Sequence, residues 1–478
     1  MDLGGVLDPE LDAEFSLEEL ERVLKLINHE KLWQKSLQLG ISSRIVRIIA
    51  ELYSKATLRV RTPEGLTKET EITEGVLQGE ILSPLLFILF ISDMENVFRS
   101  KGSYSVGLNH KTDVLLLKYA DDLAILGRNV ADVRTKLKIL KQYCDKNSLT
   151  VNESKTKILY CNGGGKRPSG LKFLYGSTEL EIVNEFTYLG IVFSSSGVFR
   201  TEMKSAVAKA RLAAAKLHNI ERIHTLFNTM VSSVLLYGCQ IWSLRYMEEI
   251  ERVQTSFYKS ILGLTRTTGN ALVKVEVGRL DLAVQVWELT WNWVVRILEM
   301  GNHRLPLICF RSQVDRYEKS DKSTQFNWAA QIFDFINSLD PSFTYLANAP
   351  VAHEWRTAGP ALLGRLKLNL QQSIGNQVLH SHYFQIQDTR ILFDRGYLKL
   401  NIPLVMKKVF AQLRMASQYY VSLYLNGNSY SFNPELPCPT CNTFTCVDTL
   451  SHFVLNCPLH MQERIKLFSI LGHKPPPL

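Results

Sequence analysis

Tyr119-Ala120-Asp121-Asp122, set between the apolar runs at residues 114–119 and 123–127, is the stretch on which the reading of this chain turns. The two runs read as strands, which places the paired aspartates at a hairpin tip. Neighbouring side chains on a strand point to opposite faces, whereas at a tight turn both carboxylates can approach one cation. Carboxylates taken out of water need a metal or a partner to neutralise them. In-line phosphoryl transfer uses such a place: two divalent cations about 3.5–4 Å apart clamp the attacking and leaving oxygens. Hard cations of that kind prefer carboxylate oxygens. Aspartate also favours turns on its own account, so the tetrapeptide alone would read as a solvated turn. Its neighbours decide otherwise.

Upstream, Ser16-Leu17-Glu18-Glu19 is a capping box that opens a helix over residues 17–27, with Leu17, Leu20, Leu24 and Ile27 at helical spacing. A second helix is expected over 41–53, then a hairpin over 57–73 turning at Pro63-Glu64-Gly65. A single apolar-faced helix is expected from Ser83 to about Phe98. Downstream of the aspartates, residues 129–147 form a helix with Val130, Val133, Leu137, Ile139 and Leu140 inward. Short strands are expected at 158–160, 181–183 and 187–193, with Gly163-Gly164-Gly165-Lys166 as a flexible connection. After Gly197 the pattern becomes helical, and residues 200–300 read as helices. Lys204 and Arg211 lie one heptad apart, as do Lys209 and Lys216; they mark either solvated faces or a helix set against a nucleic-acid backbone. Trp287, Trp291 and Trp293 read as core.

A chain of 478 residues is expected to form more than one domain, and 46% hydrophobic residues exclude a disordered protein. The 55 basic against 46 acidic residues suit a polyanionic partner without selecting one. No basic segment leads into an apolar run at the start, so no signal peptide is expected. The longest apolar stretch, residues 81–91, contains Ser83 and Pro84 and is well short of the roughly 20 residues of a membrane helix. The expectation is a soluble, intracellular protein of the cytoplasm or nucleus with no membrane association.

Cys144, Cys161, Cys239 and Cys309 are isolated and read as reduced thiols, while the other four cluster near the end. Cys438-Pro439-Thr440-Cys441, His452 and Cys457 make the pattern C-x2-C-x10-H-x4-C. Three thiolates and an imidazole suit one tetrahedral, structural zinc ion held over residues 431–465. Cys446 is either a competing ligand or a buried thiol.

The motifs around the aspartates resemble those of non-LTR retrotransposon (LINE-type) reverse transcriptases. Tyr119-Ala120-Asp121-Asp122 resembles the polymerase signature, in which Asp121 and Asp122 bind magnesium and catalyse. Glu74-Gly75-Val76-Leu77-Gln78-Gly79-Glu80-Ile81-Leu82-Ser83-Pro84-Leu85-Leu86-Phe87 resembles the preceding motif; it implies that Gly75, Gln78 and Gly79, together with Tyr119, line the nucleotide and template pocket. Leu149-Thr150-Val151-Asn152-Glu153-Ser154-Lys155-Thr156-Lys157 resembles the next motif, so Lys155 or Lys157 would lie near the nucleotide phosphates. Phe186-Thr187-Tyr188-Leu189-Gly190 resembles the primer-grip hairpin, implicating Tyr188, Leu189 and Gly190. Leu236-Tyr237-Gly238-Cys239-Gln240-Ile241-Trp242 resembles the thumb. Similar C-terminal knuckles in the family are taken to bind nucleic acid; in this chain Thr443, Phe444 and His460 are candidates for base contact.

The resemblance implies an α+β fold: a partial polymerase palm, with an antiparallel sheet and packed helices, over 28–197. A helical thumb-like region over 198–300, a helical region of no assigned role over 301–430 and the knuckle at 431–465 follow. It implies two Mg2+ ions, one Zn2+, an RNA template, a DNA primer or target, and nucleotides. One departure stands out. The family's first catalytic aspartate lies on a strand shortly before the segment matching Asn28-His29-Glu30-Lys31-Leu32-Trp33, and in its place stands the capped helix 17–27. That helix resembles a piece from upstream of the fingers, as if the chain were internally deleted. Simple register puts Glu19 at the aspartate's position, but Glu19 completes the capping box. The expectation is a crippled or inactive RNA-directed DNA polymerase; the alternative is a non-catalytic nucleic-acid-binding remnant.

Overall fold

The computed structural model describes residues 27–59, 61–62, 65–71, 75–76, 81–109, 111–162, 167–217, 223–318, 326–348, 350–379, 396–399, 402–415, 421–425, 428–432, 437–438, 440–443 and 452–470. The expected helix over 17–26 with Glu19, the turn at Pro63-Glu64, the pocket residues Gln78 and Gly79, the loop 163–166, Phe444 and Cys446 lie outside them. The chain divides into two compact units, one ending at Phe186 and the other beginning at Thr187.

In the first unit, α1 (His29–Gln38) starts where the Asn28 side chain accepts from the Lys31 N–H, and α2 (Ser43–Ser54) where Ser42 accepts from Arg44. The expected hairpin is present as nested ladders: β1 (Thr57–Leu58) pairs with β4 (Thr70–Glu71), and β2 (Arg61–Thr62) with β3 (Gly65–Leu66). The single helix expected from Ser83 is two, α3 (Ser83–Phe90) and α4 (Met94–Ser100). The break has a polar cause that hydrophobic periodicity does not carry. Asp93 Oδ1 accepts from Lys35 Nζ at 2.8 Å and from the Tyr143 hydroxyl at 2.6 Å, and Lys35 Nζ also donates to the Phe90 carbonyl.

The chain continues through β5 (Val106–Gly107), β6 (Asp113–Val114), β7 (Leu116–Tyr119), β8 (Asp122–Ile125) and α5 (Val130–Asn147). Then come β9 (Ile158–Leu159), β10 (Leu174–Tyr175), β11 (Thr178–Glu179), β12 (Ile182–Val183) and β13 (Glu185–Tyr188). Helix α5 matches its expected limits, capped by Asn129 and ended by Ser148 in a left-handed conformation. Leu137, Ile139 and Leu140 are buried against Phe90, Phe98, Leu115 and Phe173, with Val130 and Val133 partly buried at the margin. The described strands form two-stranded ladders only, and β9 with β12 is parallel. The architecture is mixed α and β as expected, but the described residues do not join into the continuous antiparallel sheet of a palm. Most of these strands are two residues long.

In the second unit, residues 187–193 are not one strand. β13 ends at Tyr188, the chain turns at Leu189-Gly190, and β14 (Ile191–Ser194) returns. α6 (Arg200–Ala215) buries Met203, Ala206, Val207 and Ala210. Its Glu202, buried in the first turn, accepts the Val192 N–H at 2.6 Å and so fixes β14 to the helix; burial raises the Glu202 pKa. Short helical pieces follow at Ile223–Leu226, Phe227–Ser232, Ser233–Leu235 and Cys239–Trp242, then longer helices Met247–Ile261, Asn270–Val277 and Ala283–Leu298. A core of Phe227, Phe257 and Tyr258 joins them, with ring centroids 5.0–5.6 Å apart. The tryptophans are core, as read: Trp287 and Trp291 are buried and Trp293 partly so. Trp291 stacks at 4.6 Å on Trp355 of the helix Ala352–Val378. Gly359 permits that approach, since a Cβ there would lie 2.5 Å from Trp291 Nε1. A hairpin of Val421–Leu425 and Asn428–Phe432 lies within the region read as helical. Among the described residues no helix is long and apolar enough to cross a membrane.

The exit from β8 is held by a buried ion pair. Lys136 is fully buried; its Nζ donates to Asp132 Oδ2 at 2.9 Å and to the Leu126 carbonyl at 2.6 Å, while Asp132 also accepts the Arg128 N–H. Removing one partner strands a charge out of water. Asp132→Ala is therefore expected to cost roughly 3–5 kcal/mol. Asp132→Ala with Lys136→Met is expected to cost clearly less, as measured by chemical denaturation.

Candidate active site and metal centre

The aspartate turn is built by the register of β7 and β8. Leu116 faces Ile125, Leu117 faces Ala124, Lys118 faces Leu123 and Tyr119 faces Asp122, which leaves Ala120-Asp121 as a two-residue loop. Such a loop needs a residue with positive φ, and Ala120 supplies it at φ 50° without being glycine. A non-glycine residue held in that region stores strain of the kind found at functional turns. Leu115 and Leu116 are buried below, Leu123 and Ile125 pack against the same core, and Gly127 passes under α5 where a Cβ would meet Val133 Cγ2 at 2.2 Å. The strands are thus fixed by apolar packing while their tip projects.

At that tip Tyr119, Asp121 and Asp122 are exposed. Neither aspartate has a side-chain hydrogen bond or ion pair among the described residues, so both carboxylates are available to a cation. The described residues place no third metal-ligating side chain beside them; the single group of three or more such side chains is elsewhere. Two carboxylates suit a divalent ion chemically, but two alone give an incomplete ligand set for a pair of ions.

The other residues expected at the nucleotide pocket are placed unequally. Gly75 is buried at φ 91°; its N–H donates to the Ile27 carbonyl at 2.8 Å and its carbonyl lies 2.7 Å from His29 Nε2. Lys157 is paired with Glu181 at 2.7 Å. Lys155 is exposed, with no side-chain partner among the described residues, and sits on a turn capped by Asn152.

The turn expected to form the primer grip, termed the grip turn for its place in the sequence only, lies in the second unit. Leu189 takes φ 49° and Gly190 φ 81°, and the Tyr237 hydroxyl donates to the Leu189 carbonyl at 3.1 Å. A Cβ on Gly190 would stand 2.9 Å from Tyr237 Cε1, and one on Gly238 2.6 Å from Ile191 Cδ1. Tyr188 and Leu189-Gly190 are therefore docked on the Leu236–Trp242 stretch that the sequence singled out separately. Tyr237 was visible only as part of that stretch; its role as the anchor of the turn follows from long-range contact. Nearby, α6 turns Lys204, Lys209, Arg211 and Lys216 outward, and Glu202, its one acidic residue, is buried.

The four residues of the cysteine cluster come together in space. The ligand atoms of Cys438, Cys441, His452 and Cys457 lie within 4.8 Å of one another, with Cys438 and Cys457 fully buried. The Cys438 N–H donates to the Thr443 carbonyl and the Asn442 N–H to the Cys438 carbonyl, with Asn442 at φ 57°. The Thr443 hydroxyl is 2.7 Å from Cys441 Sγ, and His452 Nε2 is 3.2 Å from it. Those hydrogen bonds, Thr443 first, hold the Cys441 thiol down to about 6, which favours the ligating thiolate. Thr443 thus shapes the knuckle. His460 meets Phe453 edge to face, with ring centroids 4.6 Å apart, and its Nε2 lies 3.2 Å from Thr440 Oγ1, so it too is part of the fold. For the grip turn, Gly190→Ala is expected to destabilise the second unit by on the order of 1–3 kcal/mol through forced positive φ and contact with Tyr237. Tyr237→Phe is expected to cost about 0.5–1.5 kcal/mol. Thermal and denaturant unfolding check both.

Comparison with known proteins agrees with this geometry. Residues 20–193 match the family described as reverse transcriptase (RNA-dependent DNA polymerase). The RNA-directed DNA polymerase from mobile element jockey of Drosophila funebris is 23% identical over 266 residues, covering 51% of this chain and 28% of that protein. The Pol polyprotein from the type-1 retrotransposable element R2 of Popillia japonica is 24% identical over 247 residues, 50% of this chain and 40% of that protein. The probable RNA-directed DNA polymerase from transposon X-element of Drosophila melanogaster is 22% identical over 244 residues, 47% of this chain and 26% of that protein. The matched part spans well under half the length of each of these relatives. The aspartate turn lies inside the matched segment, and residues 20–193 of this chain are a reverse transcriptase domain of the non-LTR retrotransposon kind.

Proposed function

We propose that this chain holds nucleic acid as a retrotransposon-derived reverse transcriptase protein in which nucleotidyl transfer is absent or very slow. One observation carries the reading: Asp121 and Asp122 stand exposed on an intact turn, with no third carboxylate beside them among the described residues. Charge stabilisation and positioning account for most of phosphoryl-transfer catalysis, and a ligand set short of one carboxylate weakens both.

In this reading residues 1–27 are a remnant from upstream of the fingers, 28–197 a partial palm and 198–300 a thumb-like region. Residues 301–430 have no assigned role, and 431–465 are a zinc knuckle. Asp121 and Asp122 would hold magnesium. Lys155 would face the nucleotide phosphates in preference to Lys157, which Glu181 already engages. Gln78 and Gly79 would line the pocket with Tyr119, while Gly75 shapes it through its bonds to Ile27 and His29. Tyr188, Leu189 and Gly190 would lie against the primer strand. The basic side of α6 would track a template–primer backbone by releasing counterions. Zinc fits the cluster because three thiolates and an imidazole converge with two ligands fully buried, a closed set that is structural. Template RNA, a DNA primer or target, and a place in the cytoplasm or nucleus follow from the same reading. The second reading is an active RNA-directed DNA polymerase, favoured by the preserved turn and its two available carboxylates.

The purified chain is expected to bind an RNA template annealed to a DNA primer with an affinity that falls as salt rises. Lys204→Glu with Arg211→Glu should weaken that binding. With magnesium and nucleotides no extension product is expected above background. Extension that Asp121→Ala abolishes would establish the active reading instead. Elemental analysis of the same protein is expected to find one zinc per chain, reduced in Cys457→Ser; a chain without zinc would refute the knuckle.

A further inference from the structure

Where α6 packs against the helix Met247–Ile261, the second unit holds a pocket of about 420 Å3. Arg200 and Lys204 stand one turn apart on its α6 side. Arg245 closes the short turn Ser243–Arg245 on the other side, followed by Tyr246 and, in the first turn of the next helix, Glu249. One core fixes both sides: Met203 of α6 and Ile250 of the facing helix are buried in it, and Tyr246 packs against it. Met203 also lines the pocket.

The lining is cationic. Three basic side chains against one carboxylate leave an excess of two positive charges among the side chains that line the pocket. Arg200 and Lys204 are exposed, with no hydrogen bond or ion pair among the described residues. The neighbouring acids are committed elsewhere: Glu202 is buried on the Val192 N–H, and Glu248 pairs with Arg252 at 3.3 Å. Burial raises the Tyr246 pKa, while Arg245 and Arg200 pull it down, so both guanidinium groups lie within electrostatic reach of the phenol and its hydroxyl stays a donor.

Guanidinium forks match phosphate oxygens in pairs. A phosphodiester inside a strand carries one negative charge, whereas a terminal phosphomonoester carries roughly 1.5–2 at neutral pH. The excess charge of the pocket matches the monoester. Met203 and the Tyr246 ring set apolar and aromatic surface beside the cations, as a nucleobase requires. The volume falls within the roughly 300–1,000 Å3 of pockets that enclose small ligands.

We propose that this pocket binds a nucleotide phosphomonoester, with the phosphate on Arg200, Lys204 and Arg245 and the base along Met203 and Tyr246. The ligand is either the 5′-phosphorylated end of a strand or a free nucleoside monophosphate. The strand-end form rests on the nucleic-acid reading above; the free form does not.

Two measurements on the full-length protein test this. Fluorescence anisotropy at fixed salt compares oligonucleotides of one sequence with a 5′ phosphate or a 5′ hydroxyl. Calorimetric titration compares AMP with adenosine. The phosphorylated member of at least one pair is expected to bind at least fivefold more tightly. Arg200→Ala with Arg245→Ala, both at exposed positions, should abolish that preference. Arg211→Ala, on the same helix outside the pocket, should weaken both oligonucleotides equally and leave the preference intact. Glu249→Gln removes the one opposing charge and should strengthen the preference several-fold, a gain that misfolding cannot imitate. A preference confined to the oligonucleotides assigns the strand end, and one confined to AMP assigns the free nucleotide. Oligonucleotides bound without preference, together with no preference for AMP, would overturn the pocket and leave the nucleic-acid reading standing. AMP bound through the arginines with neither oligonucleotide bound would uphold the pocket and sink that reading. A preference that survives the double arginine change, or that Glu249→Gln leaves unmoved, would also overturn the proposal.

Discussion

A lysine with no exposed surface sits behind the aspartate hairpin, and the first unit is arranged around it. Lys136 joins the carbonyl of Leu126 to the carboxylate of Asp132, and Asp132 in turn holds the Arg128 N–H. These bonds fix the path from β8 into α5 within a single turn of chain. Gly127 is required there because α5 passes too close for a Cβ. With the base of the hairpin immobilised, the left-handed Ala120 can be sustained at its tip. The turn therefore persists as a rigid projection even though its aspartates touch no other side chain among the described residues.

A second, half-buried network performs the same service elsewhere in the first unit. Asp93 gathers Lys35 and Tyr143, with Lys35 also 4.7 Å from the centre of the Phe90 ring. It joins α1, the break between α3 and α4, and α5. Both networks lie in the reverse transcriptase domain and neither touches the aspartates. That separation means that the hairpin's fold does not depend on what its aspartates bind. The interactions that stabilise the turn are distinct from those that a metal ion at the aspartates would make.

The second unit repeats the device at the grip turn. Leu189 and Ala120 are both non-glycine residues at positive φ in two-residue turns. The grip turn differs in being docked, with the Tyr237 hydroxyl on Leu189 and two glycines allowing close approach. Glu202 adds a buried carboxylate on the Val192 N–H. Beyond it, the helices are united by aromatic packing, and the knuckle brings its four ligands together through local turns.

The sequence by itself determined the family, the hairpin, the limits of α5, the core tryptophans and the Cys438, Cys441, His452 and Cys457 cluster. These depend on local spacing: alternation along a strand, periodicity along a helix, and thiols set in a tight turn. Tertiary structure decided the rest. Asp93 splits one apolar helix in two because partners 58 and 50 residues away reach it. The strand expected over 187–193 is a hairpin because Tyr237 holds its turn. Lys157 is engaged, and Lys155 has no side-chain partner among the described residues, because Glu181 lies opposite one of them. In each case the deciding partner is distant in sequence, and local pattern cannot carry the energy of a contact made only once the chain has folded.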